Sequence, residues 1–215
     1  MYCILVAGIP AAGKSTMAEA MSQRLGLPVI SKDVIKELLF DHVGFRSRAG
    51  KVSLGIASME IMYYAAGQLM KAGQPFILEN NFEYLSERGM KNLLEEYQYP
   101  ALTITLTGDY KVIYQRFLER ESSPGRHRGH VVSACYPERK ENHLETPKAN
   151  TVSYENFVGG IEQRGFDDFC VGGRQMKVDT TDFSRINMEE LFSQVLAWKE
   201  EILQGGCACS FGKKQ

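Results

Sequence analysis

No stretch of this 215-residue chain approaches the roughly 20 predominantly apolar residues that a helix needs to cross a bilayer, so no membrane partner is expected. An excess of either charge is also missing. Lys and Arg number 25 against 26 Asp and Glu, and the resulting net charge of −1 offers no general attraction to nucleic acid or to an anionic surface. Only a local basic patch remains as a route to either. No basic segment precedes the first apolar residues, Met1-Tyr2-Cys3-Ile4-Leu5-Val6-Ala7, and these run straight into a glycine-bearing loop, which argues against a cleaved leader. The five cysteines, Cys3, Cys135, Cys170, Cys207 and Cys209, are odd in number and scattered, a pattern of reduced thiols rather than of a disulfide framework. Cys207-Ala208-Cys209 has the look of half a zinc site, but no second ligand pair lies near it in the sequence. The expected location is therefore the cytoplasm. With no internal repeat, low-complexity tract or long linker, a single domain is expected over residues 1–206, with a tail at 207–215.

What is present is ordinary globular material, 44% hydrophobic and 24% charged, in a length that suits one α/β domain. Residues 2–7 form an unalternating apolar run, as expected of a parallel strand covered on both faces. Met17, Ala18, Met21 and Leu25 recur at helical spacing over 14–25, and Gly26 follows as a C-cap. The same reading predicts strands at 27–30, 75–79, 101–106 and 176–178. It predicts helices over 34–40, 54–71, 85–97, about 110–121 with Val112, Ile113, Phe117 and Leu118 inward, and from Asn187 to about Ile202 behind a capping box. Residues 42–53 read as a mobile polar connection, 122–130 breaks every periodicity, and 131–169 gives only one or two helices with loops. Strands alternating with helices imply an α/β fold, a doubly wound, mainly parallel sheet of about five strands.

Gly8-Ile9-Pro10-Ala11-Ala12-Gly13-Lys14-Ser15 satisfies the phosphate-loop pattern G-x4-G-K-[ST] in full, between a strand and a helix as the pattern requires. Glycines let the backbone wrap an anion so that successive N–H groups converge on it, and the helix opening at Lys14 aims its positive end there. Lys14 is placed to reach the β- and γ-phosphates, and the Ser15 hydroxyl to ligate Mg²⁺. The candidate contacts for ATP are Gly8, Ala11, Ala12, Gly13, Lys14, Ser15 and Thr16. The alternative is a glycine-rich turn that fits by chance. The guanine-reading Asn-Lys-x-Asp and the switch element Asp-x-x-Gly are both absent, which favours ATP over GTP.

The order of motifs resembles small P-loop kinases of the polynucleotide kinase, zeta toxin and chloramphenicol phosphotransferase type. The likeness covers about residues 1–130 and 178–183. It implies a P-loop NTPase fold with an Arg-rich lid, here at about 122–146. In Ser31-Lys32-Asp33-Val34-Ile35-Lys36 it implies that Asp33 accepts or orients the acceptor's hydroxyl proton; the alternative is that Asp33 caps the helix beginning at Val34. Polynucleotide-acting relatives carry Arg three residues after this Asp, where Lys36 stands here, a departure that weakens a nucleic-acid reading. In Leu78-Glu79-Asn80-Asn81 the resemblance places Glu79 and Asn81 at the acceptor pocket, although the two asparagines also suit a plain turn. In Tyr110–His130 it makes Arg116, Arg120, Arg126 and Arg128 the candidate lid cations that close on ATP and the transferring group, with Arg116 and Arg120 on one helix face, opposite Phe117 and Val112. A solvated basic helix, or a pair from Arg116 to Glu119 or Glu121, is the competing account. His127 and His130 read as lid hydrogen-bonders or exposed residues rather than zinc ligands. Val178-Asp179-Thr180-Thr181-Asp182 is the segment that packs near adenine in such kinases, and also an ordinary turn.

These residues imply an ATP- and Mg²⁺-dependent phosphotransferase acting on a small-molecule hydroxyl: a sugar, nucleoside or antibiotic. The catalytic set would be Lys14, Asp33, Arg120 and Arg126, with Arg116 and Arg120 also on the nucleotide and Asp33, Lys36, Glu79 and Asn81 on the acceptor. The alternatives are a polynucleotide 5′-hydroxyl kinase, a zeta-toxin-like amino-sugar kinase, and, from another class, an ATP-dependent switch with slow hydrolysis.

Overall fold

The computed structural model describes residues 1–138 and 152–205. The Cys207-Ala208-Cys209 pair, the tail, and the part of the expected lid beyond residue 138 lie outside these residues.

The apolar N-terminal run forms β1 (Cys3–Gly8), buried along its whole length. Because a strand alternates its side chains, Cys3, Leu5 and Ala7 enter one core and Ile4 and Val6 the other. Four further strands complete an all-parallel sheet in the order β2-β3-β1-β4-β5: β2 (Val29–Ser31), β3 (Phe76–Glu79), β4 (Ala101–Thr107) and β5 (Gly173–Asp179). One face is covered by α1 (Lys14–Leu25), α5 (Tyr110–Ser122), α7 (Tyr154–Arg164) and α8 (Met188–Leu203). The other is covered by α3 (Arg48–Lys71) and α4 (Tyr84–Glu96). The winding reverses across β1, since β3 pairs with one side of it and β4 with the other. Loops leaving the carboxyl ends at such a reversal form the usual ligand crevice. This is the five-stranded parallel α/β architecture of P-loop kinases.

Several boundaries differ from the sequence reading, each for a local reason. The helix expected at Val34, α2 (Lys32–His42), opens two residues earlier, and its cap is Ser31. Asp33 therefore lies inside the first turn and is not the cap. Residues 42–53 are mostly not a connection, because α3 starts at Arg48, where the Ser47 hydroxyl accepts from the Gly50 amide at 3.1 Å. Gly50, one of the glycines that suggested a loop, lies in the first turn of α3, where a Cβ would make only an ordinary 3.4 Å contact with Phe45. Val112 points outward at 37% exposure, since the buried stripe of α5 runs through Ile113 and Phe117, four residues apart. The last strand is more than twice as long as predicted, seven residues against three. As an edge strand bonded only to β4, it carries polar residues such as Arg174 and Lys177 that mask it from hydropathy.

A third, small core joins the lid region to the body. Phe40 of α2, Phe45 and Val132 pack together with Leu54 and Tyr136, and the backbones of Phe45 and Tyr136 exchange hydrogen bonds of 2.8 and 2.9 Å. Here the short α6 (Arg128–Val131) lies so close to α2 that a Cβ on Gly129 would sit 2.3 Å from the Phe40 ring. Among the described residues, no helix is long and apolar enough to cross a membrane.

Candidate active site

The phosphate loop leaves β1 in backbone conformations that explain its composition. Gly8 has φ 125°, and a Cβ there would meet the Leu106 carbonyl oxygen at 2.0 Å, inside any van der Waals limit. Gly13 caps α1 at φ 89° and offers no side-chain acceptor, so the first amides of the helix are left for a ligand. Lys14 folds back over the loop and donates from Nζ to the Ile9 carbonyl at 2.8 Å. Burial pulls its pKa down to about 8, Arg120 adds to that, and the nearby Glu79 and Asp33 carboxylates counter it.

A cavity of about 590 Å³ opens above this loop. Its wall takes Lys14, Ser15 and Thr16 from α1, Lys32, Asp33 and Lys36 from α2, Lys51 from α3, and Glu79 and Asn81 from the end of β3. Arg116, Phe117, Arg120 and Glu121 of α5, and Arg126 and His130 beyond it, complete it with Arg164 and Phe183. A second, almost wholly apolar recess of about 430 Å³ adjoins it and is lined by Met17, Ala20, Leu106, Phe183, Ile186 and Met188 with Gly13 and Thr16. Polyanion-sized and base-sized spaces thus share the phosphate loop as their common wall.

A family model described as an AAA domain matches residues 3–135, from the start of β1 to the segment seated on α2. The chain belongs to this AAA domain family. Among solved structures it is similar to a protein of Chloroflexus aurantiacus j-10-fl with a provisional kinase assignment, at 27% identity and a TM-score of 0.74, covering 91% of this chain and 97% of that one. It also resembles in fold a sugar kinase from Janibacter sp. HTCC2649, at 14% identity, TM-score 0.53, and coverage of 93% and 95%. The YorR protein from Bacillus subtilis, solved with phosphorylated GDP, shares the fold at 13% identity, TM-score 0.51, and coverage of 94% and 98%. No curated protein matches the sequence.

Within this AAA domain most of the residues singled out from sequence converge on the cavity. Asp33 sits half-exposed on its floor. Burial works to raise its pKa, but Lys32, Lys14 and Lys36 surround it and the net effect holds the carboxyl below its ordinary range. Glu79 is 4% exposed and accepts from the Ser31 hydroxyl. Gly8 and Ala12 are buried beneath the loop and shape it without lining the cavity, whereas Ala11 and Asn81 do line it. Asn80 is buried and turned to Met59.

The arginines divide. Arg116 pairs with neither Glu119 nor Glu121; it donates to the carbonyls of Thr180 and Thr181 at 2.5 and 2.6 Å and lies 4.1 Å over the Phe183 ring. Arg120 and Arg126 both approach one Glu121 oxygen, at 3.1 and 3.0 Å. Phe117 is beside Arg120, 5.6 Å from its guanidinium, rather than on the opposite face, because position 117 also borders the cavity. Arg128 turns away into a bidentate pair with Glu138 at 2.8 Å. His127 and His130 latch the segment to α2 through Asp41 and Glu37, each at 3.0 Å, and His130 has its pKa pushed to about 3 by burial and Arg126, and is neutral. No cluster of three metal-ligating acids, histidines or cysteines occurs among the described residues.

Sequence reasoning missed Lys32, Lys51, Glu121 and Phe183. Two of them carried a signal: Phe183 is the aromatic directly after the Asp179–Asp182 turn, and Glu121 is the acid between two candidate arginines. Lys51 was hidden by the loop reading. It donates to the carbonyls of His130 and Val132 at 2.6 Å each, pinning the lid segment to α3.

Proposed function

We propose that this AAA domain protein transfers the γ-phosphoryl group of ATP to a hydroxyl of a small molecule, with Mg²⁺. The observation that carries the reading is one cavity in which an ionised Asp33 faces the phosphate-loop Lys14 with room beyond it for an acceptor. The provisional kinase from Chloroflexus and the sugar kinase from Janibacter are consistent with it. We take residues 1–206 as one domain with its lid at about 122–146, and the free Cys3, Cys135 and Cys170 support a cytoplasmic location.

The open amides of α1 and Lys14 would cradle the phosphates, while the base enters the apolar recess beside Phe183. The donor set fits a magnesium ion held in large part by substrate phosphates: one hydroxyl, Ser15, with Glu79 and Asp33 lining the same cavity for its bound water. When bound, that ion neutralises charge on the β- and γ-phosphates. Asp33 orients the acceptor hydroxyl and takes its proton as the new O–P bond forms. The bond from the γ-phosphorus to the bridging oxygen breaks, and ADP leaves with that electron pair. A carboxylate held below its usual pKa is a weak base, so orientation outweighs proton abstraction, in keeping with a loose transition state. Arg120 and Arg126 bind the charge on the equatorial oxygens.

The test is transfer of label from γ-labelled ATP to a panel of sugars, nucleosides, aminoglycosides, chloramphenicol and 5′-hydroxyl oligonucleotides, with Asp33→Asn as control. Label on one acceptor class, lost in the mutant while ATP still binds, supports the proposal. Slow release of free phosphate alone, equal in both proteins, would replace it with the switch reading.

A further inference from the structure

Resting on that reading, we infer that Phe82 is a positioning residue: its buried ring, stacked on Phe169, locks a left-handed turn that aims the Asn81 amide at the acceptor.

β3 ends at Glu79, but the chain keeps step with β1 beyond it. The Asn80 amide donates to the Val6 carbonyl, and the Asn81 carbonyl accepts from the Gly8 amide, each at 3.2 Å. Asn81 is thus joined through its backbone to the first glycine of the phosphate loop, while its side chain borders the cavity. That side chain makes no hydrogen bond among the described residues. Its aim is therefore set by the backbone, and the backbone turns at the next residue. Phe82 has φ 50°, in the left-handed region where a Cβ crowds the following carbonyl oxygen. Glycine and asparagine take this conformation readily, and a bulky aromatic seldom does.

The ring holds the turn in place. It is wholly buried and stacks on Phe169, with 4.7 Å between centroids and 17° between planes. Phe169 belongs to the loop between α7 and β5, and two further contacts tie that stretch to the residues after Phe82. Arg164 makes a two-pronged pair with the Glu83 carboxylate at 2.6 and 3.0 Å. The Tyr84 ring lies so close over Gly165 that a Cβ there would meet it at 2.1 Å. Arg164 and Tyr84 are both about half exposed, so the buried stack is the part of this clamp that water does not reach. A strained dihedral persists only where its surroundings over-determine it. Leucine at position 82 would keep much of the apolar burial and lose the stack. The turn would then relax and carry Asn81 away from both the cavity and Gly8.

The experiment follows Phe82→Leu by two readouts, one of which needs no acceptor. Amide exchange resolved by NMR compares Gly8, which donates to Asn81, with Ile9, which donates to the Leu106 carbonyl of β4 on the other side. Exchange at Gly8 should quicken about tenfold more than at Ile9, and Phe169→Leu should do the same. A general loss of stability would quicken both amides alike and overturn the inference. The second readout is label transfer to whichever member of the acceptor panel takes phosphate. Phe82→Leu should raise the acceptor KM about five- to tenfold, the worth of one hydrogen bond, with the KM for ATP nearly unchanged. In an Asn81→Ala background the same substitution should change the acceptor KM no further, although the melting temperature falls as much as before. An acceptor effect that persists without the Asn81 amide would make Phe82 structural only and leave the kinase reading standing. Selective quickening at Gly8 in a protein that labels no acceptor would keep the hold of Phe82 on Asn81 and remove the transfer reading. Equal exchange at the two amides with no label transferred would remove both.

Discussion

Ser31 and Glu79 stand opposite each other in register at the carboxyl ends of β2 and β3, and the serine hydroxyl donates to the glutamate carboxylate. The same serine caps α2, so the aim of a buried acid and the start of the helix bearing Asp33 depend on one side chain. Ser31→Ala should lower kcat about tenfold with little change in the KM for ATP, and destabilise the fold by about 1–2 kcal/mol. Ser31→Thr should recover most of both. Steady-state kinetics with thermal melts check this; an alanine variant of full kcat would make the contact structural only.

Lys14 predicts opposite pH trends for binding and for stability. Its folded pKa of about 8 is below its unfolded value, so the unfolded chain binds more protons between about pH 8 and 10.5. In that window stability should rise with pH, because the cost of a buried charge is relieved. ATP affinity should fall over the same window, because the phosphates lose their cation. Denaturant melts and ATP titrations from pH 7 to 10, each compared with Lys14→Met, resolve the two. Affinity that stays flat to pH 10 and is unaffected by the mutation would remove Lys14 from the nucleotide site.

Phe183 braces Arg116 and borders both cavities. Phe183→Ala should raise the KM for ATP by about five- to tenfold, the worth of one aromatic or cation–π contact of roughly 1 kcal/mol, and leave kcat nearly unchanged. Phe183→Tyr should behave as wild type. A fall in kcat alone would place the ring at the chemistry instead.

Lys51→Met removes two hydrogen bonds that seat the segment from Arg126 to Tyr136 on α3. Stability should drop by about 1–3 kcal/mol, amide exchange should quicken between residues 126 and 137, and the KM for the acceptor should rise more than that for ATP. Exchange measured by mass spectrometry locates the change; uniform quickening along the chain would show global destabilisation instead.

The phosphate loop and its flanks were legible because a buried strand, a fixed glycine spacing and an amphipathic helix all agree over residues 2–26. The lid side was less so. Gly50 looks like a loop residue until it is seen in the first turn of α3, behind the Ser47 cap. β5 is polar because it is an edge, and Asp33 resembled a cap only while Ser31 was unplaced. Phe183 and Lys51 act on residues 67 and 79 or more positions distant, a relation no local pattern records.

Glu121 holds the guanidiniums of Arg120 and Arg126 at 3.1 and 3.0 Å from one oxygen. Two like charges that would otherwise repel and sample many rotamers are thereby gathered while the protein folds, before any substrate arrives. The arriving phosphoryl group need only compete with a carboxylate for cations already in position. Much of the solvent and side-chain reorganisation that such a reaction faces in water has then taken place during folding, outside the catalytic cycle.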